Sequence, residues 1–336
     1  MPVMSIIIPA YNAEKYIEKA LDSLISQTLS DIEIICVNDG SKDNTLEILK
    51  RYARNDARIK IINKPNEGAA AARRAGVEYA RSKYIGFLDS DDYYEIDYCK
   101  KMVTAMVSGD LDLVECGYYE FTNGTIERRC HFFNDSDLFI ENKIDFINKV
   151  FNTTIVNGKE AVVNWNKVYK RDLILKYVTN YGESLLEDYL FNLQYYIGVK
   201  RYCFIHQTLL NYRISNDSLS KKYNKDFYKI LVQIQIQKNS IMKKLELDNS
   251  QYNRAADWFC TYVKKYLLFN GVIFRDYGLF KNVIMDTMLV KQASLVNKKD
   301  LFSKCVVKGR KFILIAVYTI LTLGVKITKS IKRGCI

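Results

Sequence analysis

FLDSDDYY, residues 87–94, runs a short apolar stretch directly into Asp89, Asp91 and Asp92. A strand that ends on carboxylates suggests a sheet with its chemistry at the strand tips, and the chain before it has the matching rhythm. Residues 4–8 read as a buried strand, after which Tyr16, Ala20, Leu21, Leu24 and Ile25 recur at helical spacing. Residues 32–37 form a second strand, and a helix follows over about 45–53, with Asp43 or Asn44 available as its cap. A third strand over 59–62, a third helix over 69–80 and a fourth strand over 84–88 complete a βαβαβαβ order. This predicts the α/β class: a Rossmann-like, mostly parallel sheet sandwiched by helices, with ligands at the carboxyl ends of the strands. The loops at those ends are 9–12, 38–41, 63–68 and 89–91.

Beyond residue 110, LDLVECGYYEF (111–121) and GTIERRCHFF (124–133) read as two strands joined at Asn123-Gly124, Gly124 supplying the positive φ. After about residue 220 the pattern becomes a helical carboxyl-terminal extension. Phe227, Ile230, Leu231, Ile234 and Ile241 mark one long helix, and Tyr262, Tyr266 and Phe269 another.

The 336 residues are 49% hydrophobic, enough for a sizeable core. Eight cysteines are scattered without a CxxC pair, and only His131 and His206 could join them, which argues against structural zinc. Nothing at the amino terminus resembles a signal peptide, so reduced thiols and a cytoplasmic catalytic face are expected. The net charge of +12 is concentrated in the last 46 residues, where eleven Lys and Arg meet only Asp300. The rest is nearly neutral, so a nucleic-acid partner is not expected.

In an extended chain residues i and i+2 share a side, so Asp89 and Asp91 can converge on one target while Ser90 faces away. Oxygen-only ligands suit Mg²⁺ or Mn²⁺, with phosphate oxygens filling the open positions. The same residues also suit the acidic start of a helix, with Asp92 and Glu95 beside its dipole, and spacing alone leaves both readings open. In VNDGSKDNT (37–45), Asp39 emerges at a strand tip and Gly40 allows the turn, while a helix cap comes more naturally from the residues after it.

SIIIPAYN (5–12), VNDGSKDNT, NEGAAAARRAG (66–76) and FLDSDD (87–92), in this order and at these separations, resemble the nucleotide-sugar-binding half of the family 2 glycosyltransferases, which have the GT-A fold. The resemblance implies that Pro9, Tyr11 and Asp39 hold the uracil of a UDP-sugar, with Asn12 on the same surface. Asn66 and Arg73 would complete the base and phosphate side, Asp89 and Ser90 would meet ribose or sugar, and Asp91 would bind the Mn²⁺ or Mg²⁺ cofactor. NEGAAAARRAG departs from the family pattern, with Arg74 where asparagine is common and Ala70 where serine is.

WNKVYKRDLI (165–174) and GESLLEDYLF (182–191) resemble the family's second constellation, which makes Asp188 the catalytic base and places Trp165 and Glu187 on the acceptor or sugar side. Without the resemblance, Glu187 and Asp188 read as acids opening a helix. LLNYRISNDSLS (209–220) is similar to a mobile segment in which Arg213 and Ser218 close over the diphosphate; an ion-paired surface loop is the alternative. His206, ending RYCFIH (201–206), is a candidate metal ligand or an edge histidine.

Residues 312–325 carry no charge and are flanked by Lys and Arg. A helix of that length reaches roughly 21 Å, short of the roughly 30 Å hydrocarbon core. It suits a membrane interface with its lysines on anionic headgroups, or packing on protein, which leaves room for a homo-oligomer. The resemblance then implies a non-processive, inverting enzyme that adds a single sugar to a polyprenyl-diphosphate-linked glycan in capsule or other surface-polysaccharide assembly. It would work at the inner face of the cell membrane. The Gln-x-x-Arg-Trp motif of processive members is missing, since the tryptophans are Trp165 and Trp258 alone. A sugar-nucleotide nucleotidyltransferase would need a Gly-rich phosphate loop after the first strand, where PAYNAEKY stands, and a dehydrogenase would need GxGxxG. A non-catalytic scaffold with this fold is the remaining alternative. The expected organisation is a glycosyltransferase domain over 1–220, with halves 1–110 and 111–220, a helical extension over 221–300 and a basic tail over 301–336.

Overall fold

The computed structural model describes residues 1–122, 125–130, 136–158, 162–182, 186–214, 226–266 and 286–296, together with Val283 and Val306. Strands β1 (Met4–Ala10), β2 (Ile32–Asp39), β3 (Ile59–Lys64) and β4 (Tyr84–Phe87) alternate with helices α1 (Ile17–Ile25), α2 (Thr45–Asn55) and α3 (Ala69–Tyr79). These strands pair in parallel in the order β3-β2-β1-β4. Every residue of β1 and β2 is buried, which is why both are mostly apolar: a strand covered on both faces has no polar side to alternate, and ahead of the tips Ser5 Oγ donates to Glu33 Oε1 at 2.5 Å. Asn38 and Asp39 are still paired, with Asn63 and Lys64, so the polar tips are held by the ladder itself.

Next come β5 (Tyr93–Tyr94), α4 (Tyr98–Ser108), β6 (Leu113–Thr122), β7 (Thr125–Cys130) and β8 (Leu138–Ile140). The short α5 (Lys143–Asp145) continues into a wide-turned helix over Phe146–Val156, and β9 (Lys167–Lys170), α6 (Arg171–Tyr177), α7 (Glu187–Tyr195) and β10 (Tyr202–Arg213) follow. Strand β9 enters antiparallel between β4 and β6, with Val168 opposite both Gly86 and Val114. The sheet is therefore mixed, and its wholly parallel part is the amino-terminal four strands. An antiparallel strand starts where its neighbour ends, so residues 164–167 arrive beside the tip of β4. Strand β10 runs parallel to β6 and antiparallel to β5, with Asn211 opposite Tyr93, which stops its carboxyl end at the acidic turn.

Glu115 and Lys167 face each other across the β6–β9 ladder and are both buried. Lys167 Nζ donates to Glu115 Oε1 (2.9 Å), Val163 O (2.9 Å) and Asn166 Oδ1 (2.8 Å), using all three of its hydrogens. Tyr202 Oη donates to Glu115 Oε2 at 3.0 Å. Helix α3 lies close on β1 at Gly76, where an added Cβ would stand 2.4 Å from Ile7 Cγ2. Gly76→Ala should therefore destabilise the protein by about 1–3 kcal/mol, read from the shift in denaturant midpoint.

The chain divides into two compact units, Met1–Phe151 with Glu160–Leu219, and Asn152–Lys159 with Ser220–Ile336. The second unit thus takes residues 152–159 from within the first stretch of sequence. Its described helices are α8 (Phe227–Lys244), α9 (Asn249–Tyr266) and α10 (Thr287–Leu295), and Gln235 Nε2 donates to Gln292 Oε1 at 3.2 Å between α8 and α10. Cys36, Cys99, Cys116, Cys203 and Cys260 are buried free thiols. The Asn123-Gly124 turn, His131, Phe269 and residues 312–325 lie outside the described residues. Among the described residues no helix is long and apolar enough to cross a membrane.

Candidate active site

The first two strand tips are zipped together by their loops. Asn12, at φ 49°, accepts from Lys42 N through Oδ1 (2.8 Å) and donates its own N–H to Ser41 Oγ (3.1 Å). Asp43, one residue before the α2 N-cap Asn44, accepts from Thr45 N through Oδ1 (3.0 Å), while the Asn44 side chain makes no cap bond and donates to Glu14. Pro9 is buried in β1, whereas Tyr11 just beyond it is 47% exposed. Asp39 is 2% exposed and accepts from Lys64 Nζ (2.8 Å), Glu67 N (3.0 Å) and Gly68 N (2.8 Å). Its carboxylate thus fixes the loop into α3. Gly40, at φ 70°, lets Asn66 close against the same tip, since a Cβ there would lie 2.7 Å from Asn66 N.

The acidic stretch is a tight turn, Asp92 N donating to Asp89 O at 3.1 Å, which corrects the extended geometry expected for Asp89, Ser90 and Asp91. Burial, followed by the charge of Asp89, pushes the Asp91 carboxyl up to about 6. Asp92 is pushed well up too, by burial and then by Asp91 and Asp89. Arg213 braces the turn from β10: its N–H donates to Asp92 Oδ1 (2.8 Å) and its Nε to Asp91 O (3.2 Å). The Arg213 guanidinium lies over the rings of Tyr16 (4.4 Å) and Phe121 (4.7 Å).

Arg73 is 5% exposed and joins this turn to α7. Its Nη2 donates to Asp89 Oδ1 at 2.8 Å, its Nη1 to Glu187 Oε1, and Nη1 lies 3.5 Å from Asp188 Oδ1. Burial opposes its charge, but Asp188, Asp89 and Glu187 overcome that and hold it firmly protonated. The expected phosphate-side arginine is thus the counter-ion of three carboxylates. Burial pushes the Asp188 carboxyl up to about 6 against the pull of Arg73, with Asp89 and Glu187 adding to the rise. Asn164 Nδ2 donates to Asp188 Oδ1 at 2.8 Å. A carboxyl poised near neutrality can accept a proton during a reaction and release it afterwards.

The family model for glycosyl transferase family 2 matches residues 5–164, which contain both strand tips, the acidic turn and Arg73. The chain carries a glycosyl transferase family 2 domain. The Bacillus subtilis (strain 168) protein EpsH, named as a glycosyltransferase, is 34% identical over 234 residues, covering 68% of this chain and 65% of that protein. Glycosyltransferase GlyA of Streptococcus pneumoniae serotype 4 is 32% identical over 230 residues, covering 68% and 33%. The chondroitin synthase of Pasteurella multocida (strain Pm70) is 50% identical over 97 residues, 29% of this chain and 10% of that one. The chain therefore spans less than two thirds of the length of these relatives. The crystal structure of Staphylococcus aureus TarS residues 1–349 in complex with UDP superposes with a TM-score of 0.70 at 19% identity, covering 99% and 92% of the two chains. The fold is GT-A.

Beyond the residues matched by the family model, two expected site residues stand elsewhere. Trp165 is 4% exposed, stacked on Tyr212 (5.0 Å between centroids) and met edge-on by Tyr118 (4.7 Å). A ring that stacks on a sugar must show an open face, so Trp165 supports Tyr212 and does not present itself to an acceptor. His206 stands on β10 four residues before Leu210, which pairs with Tyr94 beside the acidic turn. Its backbone N–H donates to Asp137 Oδ1 (2.7 Å) and its ring meets Phe204 edge-on. Ser218 lies outside the described residues. Ser90 sits in the turn itself.

Asn164, Asn192 and Tyr212 were not singled out from the sequence. Burial, followed by the charges of Asp92, Asp89 and Asp91, pushes the Tyr212 hydroxyl up to about 12, which places it among the acids. The only hint in sequence was position: Asn164 immediately precedes the Trp-Asn-Lys segment, and Tyr212 precedes Arg213.

Proposed function

We propose that this chain transfers one sugar, a hexose or N-acetylhexosamine, from a UDP-sugar to a hydroxyl of a glycan acceptor, with inversion at the anomeric carbon. The observation that carries this is the span of a single side chain: Arg73 reaches both Asp89 of the acidic turn and Glu187–Asp188 of α7. A donor seated at the strand tips would thus lie within one arginine of the base. Asp188 takes the acceptor proton as its oxygen attacks, and UDP departs from the opposite side. TarS, which shares the fold, has been solved with UDP and with UDP-GlcNAc, and the donor proposed is of that class. A lipid-linked acceptor in polysaccharide assembly and a membrane-seated tail complete the reading, with the sequence of the tail as their support.

The acidic turn fits a divalent ion. Asp89, Asp91 and Asp92 crowd negative charge into one turn, and burial and repulsion have already raised Asp91 and Asp92. Among the described residues no group of three or more His, Cys, Asp or Glu side chains could hold a metal unaided. Asp91 would therefore share a Mn²⁺ or Mg²⁺ with donor phosphate oxygens, and when bound the ion would offset the charge of the leaving diphosphate.

Titration calorimetry of UDP with and without Mn²⁺, paired with UDP release from a panel of UDP-sugars, tests this. Mn²⁺ should tighten UDP binding by on the order of tenfold, and Asp91→Asn should remove that gain. Turnover of GDP- or dTDP-sugars in place of UDP-sugars would overturn the donor class, and UDP binding indifferent to Mn²⁺ would overturn the metal.

A further inference from the structure

Behind Asp188 lies a closed run of buried polar groups that the proposed chemistry does not use. Asn164, Asn192 and Tyr169 are all fully or almost fully buried. Asn164 Nδ2 donates to Asp188 Oδ1 (2.8 Å), and its Oδ1 accepts from Asn192 Nδ2 (2.5 Å). Asn192, one turn further along α7, also donates Nδ2 to Asp188 O (2.9 Å), and its Oδ1 accepts from Tyr169 Oη (3.1 Å). Tyr169 Oη also lies 3.2 Å from Asn164 Oδ1, and a phenol has one hydrogen to share between the two.

The chemistry fixes which way each group points. A carboxylate accepts only, so the amide of Asn164 must turn its NH₂ to Asp188 and its oxygen to Asn192. Asn192 must then turn its own NH₂ toward Asn164, which leaves its oxygen to be satisfied by the Tyr169 hydroxyl. The polarity of the whole run is thereby locked, and no member can flip without burying an unpaired group. Both side chains that reach the Asp188 carboxyl, the Asn164 amide and the Arg73 guanidinium, lie on Oδ1, and the Asn164 backbone also hydrogen-bonds this carboxyl.

We infer that Asn164 is a positioning residue: with Asn192 and Tyr169 behind it, it pins Asp188 by Oδ1 so that Oδ2 is turned to the acceptor hydroxyl. This rests on the reading of Asp188 as the base. The segment that carries Asn164 is anchored just downstream by the Lys167–Glu115 pair, and Asn192 sits on the same helix as Asp188, so the bracket joins two rigid elements. The orientation of the carboxyl is therefore set by the sheet and α7 together.

The test is a kinetic cycle on the full chain, reading UDP release from whichever UDP-sugar of the panel the wild type turns over. Asn164→Ala should lower kcat by about 10–100-fold while leaving KM for the UDP-sugar unchanged. On an Asp188→Asn background the same change should cost nothing further, because there is no base left to aim. Tyr169→Phe, which removes one hydroxyl and keeps the ring packing, should lower kcat in the same direction by about threefold. It also serves if Asn164→Ala does not fold. Unchanged kcat in Asn164→Ala, or an equal further loss on the Asp188→Asn background, would reduce Asn164 to a packing role and overturn the inference alone. Full activity in Asp188→Asn by itself, or a wild type that turns over no UDP-sugar, would instead remove the parent reading and the inference with it.

Discussion

Asp188→Asn should reduce sugar transfer by about 10²–10⁴-fold, the usual contribution of a general base, while UDP binds as it did before. The substitution is nearly isosteric, so Arg73 keeps Asp89 and Glu187 as counter-ions, and Asn164 finds a carbonyl oxygen where it had a carboxylate. What disappears is the capacity to take a proton. The pH dependence gives a second check. With its carboxyl pushed up to about 6, Asp188 is mostly protonated below that pH and cannot accept a proton, and it is ionised above it. Wild-type kcat should therefore rise with pH through about 6 and level off above it, and the residual rate of Asp188→Asn should lack that rise. Residual transfer within about tenfold of wild type would move the base elsewhere, with Glu187, on the same side of Arg73, as the next carboxylate to replace.

The second large effect concerns stability. Lys167→Met should cost about 3–5 kcal/mol, because it strands the Glu115 carboxylate in the sheet with only Asn166 Nδ2 and Tyr202 Oη as donors. Lys167 also closes on Val163 O and Asn166 Oδ1, and both lose that donor. Methionine fills much of the volume, so the loss measures the uncompensated charge more than a cavity. Adding Glu115→Gln removes that charge while keeping an acceptor for Tyr202 and should restore most of the stability. Chemical denaturation of the single and double variants measures both terms. A cost below about 1 kcal/mol for Lys167→Met would mean that the pair is exchangeable for apolar packing even when broken one side at a time.

Much of the fold could be read because β1, β2 and β4 are covered on both faces and the helices between them are not, so two different periodicities mark the chain. The strand tips were legible for the same reason: Asp39, Asp89 and Asp91 follow apolar runs that end abruptly. Conformation within the tips was not. Asp89–Asp92 closes as a turn because Asp92 N finds Asp89 O, a contact no alternation pattern encodes. Trp165 was placed on the acceptor or sugar side by the resemblance alone, and its burial depends on Tyr212 arriving from 47 residues away on β10. Asn164 went unnoticed for a similar reason. Its neighbours are set by where β9 inserts, and a four-residue strand carries too little pattern to reveal its partners.

That insertion also has a bearing on the order in which the molecule comes together. Strand β9 needs both β4 and β6 as edges, and its partners in them lie about 80 and about 50 residues upstream. The four amino-terminal strands close mostly local connections, whereas β9 must wait for two distant ones. Because Asn164 travels with β9, Asp188 gains its partner after the tips around Asp39 have formed, and during synthesis the nascent chain would complete those four strand tips before the surroundings of Asp188 exist.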